Sequence, residues 1–224
     1  MIEQLTICLF KSKLATILRL VAILSVASAA WSESPSKPWE YSAFIDGYLV
    51  PGDVSYANPN FMADRKKLHL EARYNYEALQ TGSLWIGYNY KHEFGAKKVL
   101  KLNLTPMVSG VFGKLSGVAP GCELTLAYKE KLELEFSNEY VFASSRANSF
   151  YYAWPQLNYY PVHWLKVGAV AQQTQLYQTK VDVQRGFLVG LIRESGKRTT
   201  SFTAYVFNPG VTTPTVVLEA AVEF

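Results

Sequence analysis

Cysteine is scarce in this chain. Cys8 falls in a segment that reads as a removable leader, and Cys122 then stands alone, so no intramolecular disulfide can hold the fold. Cys122 reads as a small apolar strand residue. Histidine is equally sparse, with only His69, His92 and His163, and no His/Cys spacing suits a metal ion. Neither a phosphate-cradling G-x-x-x-x-G-K-[ST] nor a strand-to-helix glycine fingerprint occurs, and no strand carries a recognisable Ser/His/acid set. Basic residues form no block, which excludes an electrostatic footprint for nucleic acid. Beyond the leader there is no apolar run approaching the roughly 20 residues that a spanning helix needs, so any membrane span must be built from strands.

What is present begins with that leader. Lys11, Lys13 and Arg19 precede the apolar run Leu20-Val-Ala-Ile-Leu-Ser-Val26, and small residues follow at Ala27, Ser28, Ala29 and Ala30. A charged region, an apolar region and an A-x-A-like site together predict a signal peptide over residues 1–30, cleaved near Ala29 or Ala30. The charged region is long and contains Glu3, so translation could also start downstream. Removing 1–30 takes away three basic residues and one acidic residue, so 22 and 18 become 19 and 17 and the mature charge is near +2. Residues 31–38 read as a short polar, Pro-bearing link, and 39–224 as one domain. Fifteen Tyr, twelve Phe and five Trp, beside a mean hydropathy near zero, fit a barrel with one lipid face and one polar face better than a helix bundle.

The final stretch, residues 214–224, carries the strongest pattern. Val216, Leu218, Ala220, Val222 and Phe224 alternate with positions that include Glu219 and Glu223. An unpaired strand of this kind invites edge-to-edge aggregation, and a closed barrel removes the edge by pairing the last strand with the first. The segment resembles the last strand of Gram-negative outer-membrane β-barrels, porin-like in class, which end in an aromatic residue preceded by alternate apolar ones. That resemblance implies a bacterial outer-membrane location, contact with outer-membrane lipids, and recognition of the last strand by the barrel-assembly machinery, with Phe224 as the assembly signal.

Period-two alternation recurs along the chain. Residues 65–79 show it best: Leu68, Leu70, Ala72, Tyr74, Tyr76 and Ala78 face one way, and His69, Glu71, Arg73, Asn75 and Glu77 the other. Strands are also expected over 39–50, 83–94, 99–112, 122–128, 132–143, 150–160, 164–177, 183–193, 199–207 and 214–224. Residues 51–64, rich in Pro, Gly and Asn, read as a surface loop. Pro106 predicts a strand end, bulge or kink. The glycines at 110, 113, 117 and 121 fit tight bends, or else close backbone packing inside a barrel. This gives eleven strands, whereas a single-chain barrel needs an even number. A strand hidden in 51–64 or 106–121 would make twelve, and a merger would make ten. The fold class is therefore all-β, a single up-and-down antiparallel transmembrane β-barrel of about 10–12 strands.

Alternation alone does not say which face is outside. In a soluble sandwich the apolar face would be the core; in a membrane barrel it meets lipid. The leader, the terminal Phe224, and strand-end aromatics at Trp39, Tyr88, Tyr90, Tyr140, Tyr151, Tyr159 and Trp164 favour the barrel. The opposite face then lines a lumen with His69, Glu71, Arg73, Glu77, Lys91, Lys101, Glu133, Glu135 and Glu139. In a narrow barrel these groups would pair and plug the interior; in a wider one they would edge a path and bias which small solutes or ions pass. His69 and Glu71 could form a proton-shuttling pair, for which a plain ion pair is the simpler alternative. The expected function is a porin-like or structural outer-membrane barrel with a charged, constricted lumen and no cofactor. An outer-membrane hydrolase or acyltransferase, or a non-conducting ligand-binding or adhesion barrel, remain the alternatives.

Overall fold

The computed structural model describes residues 39–95, 97–211 and 214–224, so the expected leader and the link at 31–38 lie outside the described residues. Thirteen strand segments occur among them: β1 (Glu40–Leu49), β2 (Tyr56–Arg65), β3 (Leu68–Tyr74), β4 (Thr81–Tyr88), β5 (Tyr90–Phe94), β6 (Leu100–Gly113), β7 (Gly117–Tyr128), β8 (Leu132–Ala143), β9 (Phe150–Val162), β10 (Leu165–Leu176), β11 (Asp182–Ser195), β12 (Arg198–Phe207) and β13 (Thr215–Glu223). Neighbours in sequence pair antiparallel, and β4 and β5 both pair with β6, forming one interrupted strand. The result is a closed, up-and-down barrel of twelve staves. Its seam joins β1 to β13 from Ser42↔Glu223 to Leu49↔Val216, and Tyr41 and Phe224 exchange backbone bonds at 2.9 and 3.0 Å.

The missing twelfth strand lies in the stretch expected to be a surface loop. Residues 56–65 form β2, paired with β1 from Tyr48↔Tyr56 to Glu40↔Asp64. Its inward positions are Asn58 and Asn60, both buried, with Met62 and Asp64 following at the same parity. Amides inside a polar barrel substitute for the apolar residues that a sequence pattern looks for. Pro59 is accommodated because the ladder to β3 stops at Asn60↔Arg73, one residue short of it.

Pro106 acts on its neighbour rather than on its own strand. β6 runs through it unbroken, but β4 ends its pairing at Gly87↔Met107 and β5 resumes at Tyr90↔Leu104. Proline offers no N–H across that gap. Asn89, in the gap, gives its backbone N–H to Lys67 O on the other side (2.8 Å), while its side-chain oxygen accepts from the Thr105 hydroxyl (2.7 Å). The glycines divide between the two expected roles. Gly113 turns the chain at φ +114°, whereas Gly121 lies inside β7, where a Cβ would stand 3.0 Å from the Trp85 ring.

The strand expected over 65–79 is shorter than its alternation implied. It ends at Tyr74 because Asn75 adopts φ +61° and its side-chain oxygen takes the Gln80 N–H at 2.8 Å. The chain therefore folds inward, and Tyr76 and Ala78, expected on the lipid face, pack against a cluster containing Trp85.

The apolar face is the outer one. Leu84, Ile86 and Leu191 are 61%, 54% and 53% exposed, while inward Trp85 is 2% exposed, the reverse of a soluble sandwich. Tyr88, Tyr90 and Tyr159 stand exposed on the same outer face, as an interfacial girdle requires, and Trp164 is exposed in the turn before β10. No helix among the described residues is long and apolar enough to cross a membrane. The turns at 66–67, 129–131, 163–164 and 196–197 share one end with Tyr41 and Phe224, and the loops at 50–55, 75–80, 144–149 and 177–181 share the other with residues 208–211. Beneath the longer loops, two apolar clusters occupy much of the interior, one around Val111, Leu115, Val141 and Phe150, the other around Leu188, Phe207 and Val217; Trp154 packs against both.

Close strand packing gives a direct test. A Cβ on Gly186 would run into the carbonyl oxygen of Val206 on β12, which is backbone and cannot swing aside. Gly186→Val is expected to destabilise the barrel by about 1–3 kcal/mol, the usual cost of overpacking. The measurement is urea unfolding of the refolded chain in micelles, followed by tryptophan fluorescence.

Candidate functional site: the charged interior

Arg73, on β3, is the centre of the interior network. Its Nε and Nη2 donate to the two oxygens of Glu71, each at 2.8 Å, in a bidentate clamp. Nη1 donates to Glu139 on β8 at 3.1 Å, and Nη2 also reaches Glu123 on β7 at 3.4 Å. The guanidinium carbon lies 4.4 Å from the centroid of the Trp85 ring and 4.5 Å from that of Tyr76. Carboxylates supply the opposite charge and aromatic faces supply the rest of the desolvated shell. Burial pushes the Tyr76 phenol, in the loop after β3, well above its ordinary range.

A second chain of contacts extends from this node. His69 Nδ1 lies 3.0 Å from Asp64 Oδ1, while its Nε2 approaches Glu71 Oε2 at 3.5 Å without a hydrogen bond. Asp64 also accepts from the Asn89 side-chain amide. Through Asp64 and its approach to Glu71, His69 adjoins the Arg73 network. Across the barrel, Glu133 accepts from the Tyr160 hydroxyl, Glu135 accepts from Asn158 Nδ2 at 2.6 Å, and Lys166 is buried on β10.

Of the nine charged residues singled out from the sequence, His69, Glu71, Arg73 and Glu139 come together in one network. Glu133 and Glu135 form a separate group on β8. Glu77 has left the strand but is still buried, and neither of its carboxylate oxygens has a hydrogen-bond partner among the described residues. Lys91 and Lys101 join none of these groups. Both are exposed, and Lys101 pairs instead with Glu130 at 3.2 Å.

The sequence pattern missed the residues that surround an interior cavity of about 260 Å³, among them Asp46, Tyr48, Glu123, Trp154, Tyr205 and Glu219. Arg73 and Glu135 also reach this cavity. Asp46 and Glu219 sit directly opposite one another across the β1–β13 seam. Their inward parity was legible; that the seam would set two carboxylates side by side was not, because register between the first and last strands leaves no local trace. Around them, Tyr205 donates its hydroxyl to Glu219 at 3.1 Å, Trp154 meets the Tyr205 ring edge-on at 5.3 Å, and Tyr48 stacks on Tyr56 at 4.7 Å. Among the described residues no group of His, Cys, Asp and Glu is arranged to hold a metal ion.

Solved structures with this architecture are small porins. The KdgM porin superposes with a TM-score of 0.53 at 10% identity, covering 82% of this chain and 98% of its own. The same porin, solved in complex with disordered oligogalacturonate, superposes equally well at 7% identity. The NanC porin gives a TM-score of 0.51 at 9% identity over 81% of this chain and 98% of its own. At such identities the likeness establishes the fold. No protein-family model matches the sequence. A search of curated protein sequences likewise gives no match. The chain has the closed, up-and-down β-barrel fold of these porins.

Removing the central cation should be costly, because Glu71, Glu123 and Glu139 would be left without their guanidinium. Arg73→Met is expected to lower stability by about 3–5 kcal/mol. Arg73→Lys should recover only part of that loss, since an ammonium cannot reproduce the bidentate clamp. Chemical denaturation in micelles, with Glu71→Gln added to the Arg73→Met background as the compensating change, measures both.

Proposed function

We propose that this chain is a narrow, porin-like barrel whose interior favours small cationic or neutral solutes over anions. The observation that carries the reading is the sign of charge around the cavity: Asp46, Glu71, Glu123, Glu135 and Glu219 face it with Arg73 as their basic counterpart. Carboxylates in a constricted, low-dielectric wall raise the local concentration of cations and repel anions. Oligogalacturonate, the partner in the KdgM complex, is a polyanion, and an interior of this sign disfavours such a guest. In this reading the barrel acts as a conduit and not as a catalyst, His69 is a structural ion-pair residue, and no cofactor takes part. Lipids contact the outer apolar face, and the assembly machinery engages β13 and Phe224.

The packing of Trp154 between the two apolar clusters makes the path constricted, so unitary conductance should be small. The same packing favours a second reading, a non-conducting barrel that binds a ligand in the cavity. Planar-bilayer recording under a KCl gradient separates the two. The expected result is small conductance steps with a cation-selective reversal potential. Glu123→Gln with Glu135→Gln should shift that potential toward zero, and Trp154→Ala should raise conductance several-fold. Anion selectivity would overturn the proposal, and silence of both the wild type and Trp154→Ala would leave the ligand-binding barrel.

A further inference from the structure

We infer that the cavity holds a binding site for a small organic ammonium ion, seated between Asp46 and Glu219 and walled by tyrosine and tryptophan rings. The inference deepens the proposed solute preference and rests on the reading of a cation-favouring interior. Its starting point is the seam. Asp46 on β1 and Glu219 on β13 are cross-strand partners pointing inward. Carboxylates placed directly opposite one another in an antiparallel pair repel and destabilise the sheet. Arg73, the cation lining the same cavity, is already engaged by Glu71, Glu123 and Glu139.

Asp46 is the second, independent sign. It is 8% exposed, faces the cavity, and has no hydrogen-bond or ion-pair partner among the described residues. Its other cross-strand neighbour, Asn58, uses none of its side-chain donors on it. A buried carboxylate with no donor is costly, and a guest that brings a positive charge relieves both that cost and the repulsion from Glu219.

The walls decide the kind of cation. Tyr48, Tyr152, Trp154 and Tyr205 all border the cavity. Aromatic faces attract ammonium groups whose hydration is weak and whose surface is apolar, most strongly when desolvated. A bare divalent ion instead demands a shell of six or more oxygens, and no cluster of that type is present among the described residues. A volume of about 260 Å³ admits a small molecule. One carboxylate pair with aromatic walls thus suits a compact amine or quaternary ammonium.

The test is titration of the refolded full barrel in micelles with tetramethylammonium chloride, read by tryptophan fluorescence and by calorimetry, with NaCl and CaCl₂ at matched ionic strength. Saturable binding of tetramethylammonium is expected, weakened about tenfold or more by Asp46→Asn and by Glu219→Gln and unchanged by Glu194→Gln at the exposed end of β11. Asp46→Asn should also raise the urea midpoint of the ligand-free barrel, because it removes the repulsion; a merely structural carboxylate would lower it. Non-saturable titration, binding indifferent to both substitutions, or tighter binding of calcium would overturn the site. Cation-selective conductance without tetramethylammonium binding would overturn this inference alone. Saturable binding to a barrel that never conducts would uphold the site and overturn conduction.

Discussion

A guanidinium removed from water is tolerated only where carboxylates and ring faces replace its hydration, and Arg73 has both. Its partners come from β3, β7 and β8, and its flanking rings come from β4 and from the loop after β3. One side chain therefore ties together walls that the hydrogen-bond ladder joins only through a succession of neighbours. Other features follow from it. Trp85 packs against the guanidinium, and together with the Asn138 carbonyl it crowds the place a Cβ would take at Gly121 on β7. Tyr76 must reach inward, which requires the chain to leave the strand at Asn75 through a left-handed conformation. Glu71 is held, and through it His69 and Asp64 are held as well.

The interior is thereby divided by chemistry. Where carboxylates find a donor, in Arg73, Asn158, Tyr160 or Tyr205, they are part of the framework. Where they do not, as at Asp46, they are free to act on whatever enters. The likeness to the KdgM and NanC porins supplies the architecture but not the solute, because a barrel of a given strand number can present either sign of charge to its axis.

Much of the architecture was legible because a barrel writes its two faces into the sequence at period two. The alternation of Leu68, Leu70 and Ala72 against His69, Glu71 and Arg73 survives in β3, and the terminal run ending at Phe224 pairs with β1 as edge removal demands. β2 was illegible for a physical reason: inside a polar barrel, Asn58 and Asn60 occupy strand positions that elsewhere would mark a turn. Tyr76 misled because an alternating pattern cannot register a reversal of direction caused by one positive φ at Asn75. Of the charged set, His69, Glu71 and Arg73 on β3 meet Glu139 on β8, whereas Lys91 and Lys101 stand apart. The cavity was missed because Asp46 and Glu219 are neighbours only once the barrel has closed, and because aromatics read as girdle or core from sequence can equally line a pocket.

The two apolar clusters bridged by Trp154 have an electrical consequence. In a tube of uniform bore, resistance is spread along the axis and every wall charge weighs on both rate and choice. In the proposed conduit the oily stretch would be a short resistor in series with an acidic filter. Rate would then be set at the Trp154 indole and choice by the carboxylates beside it, so that substitution could retune either one while leaving the other untouched.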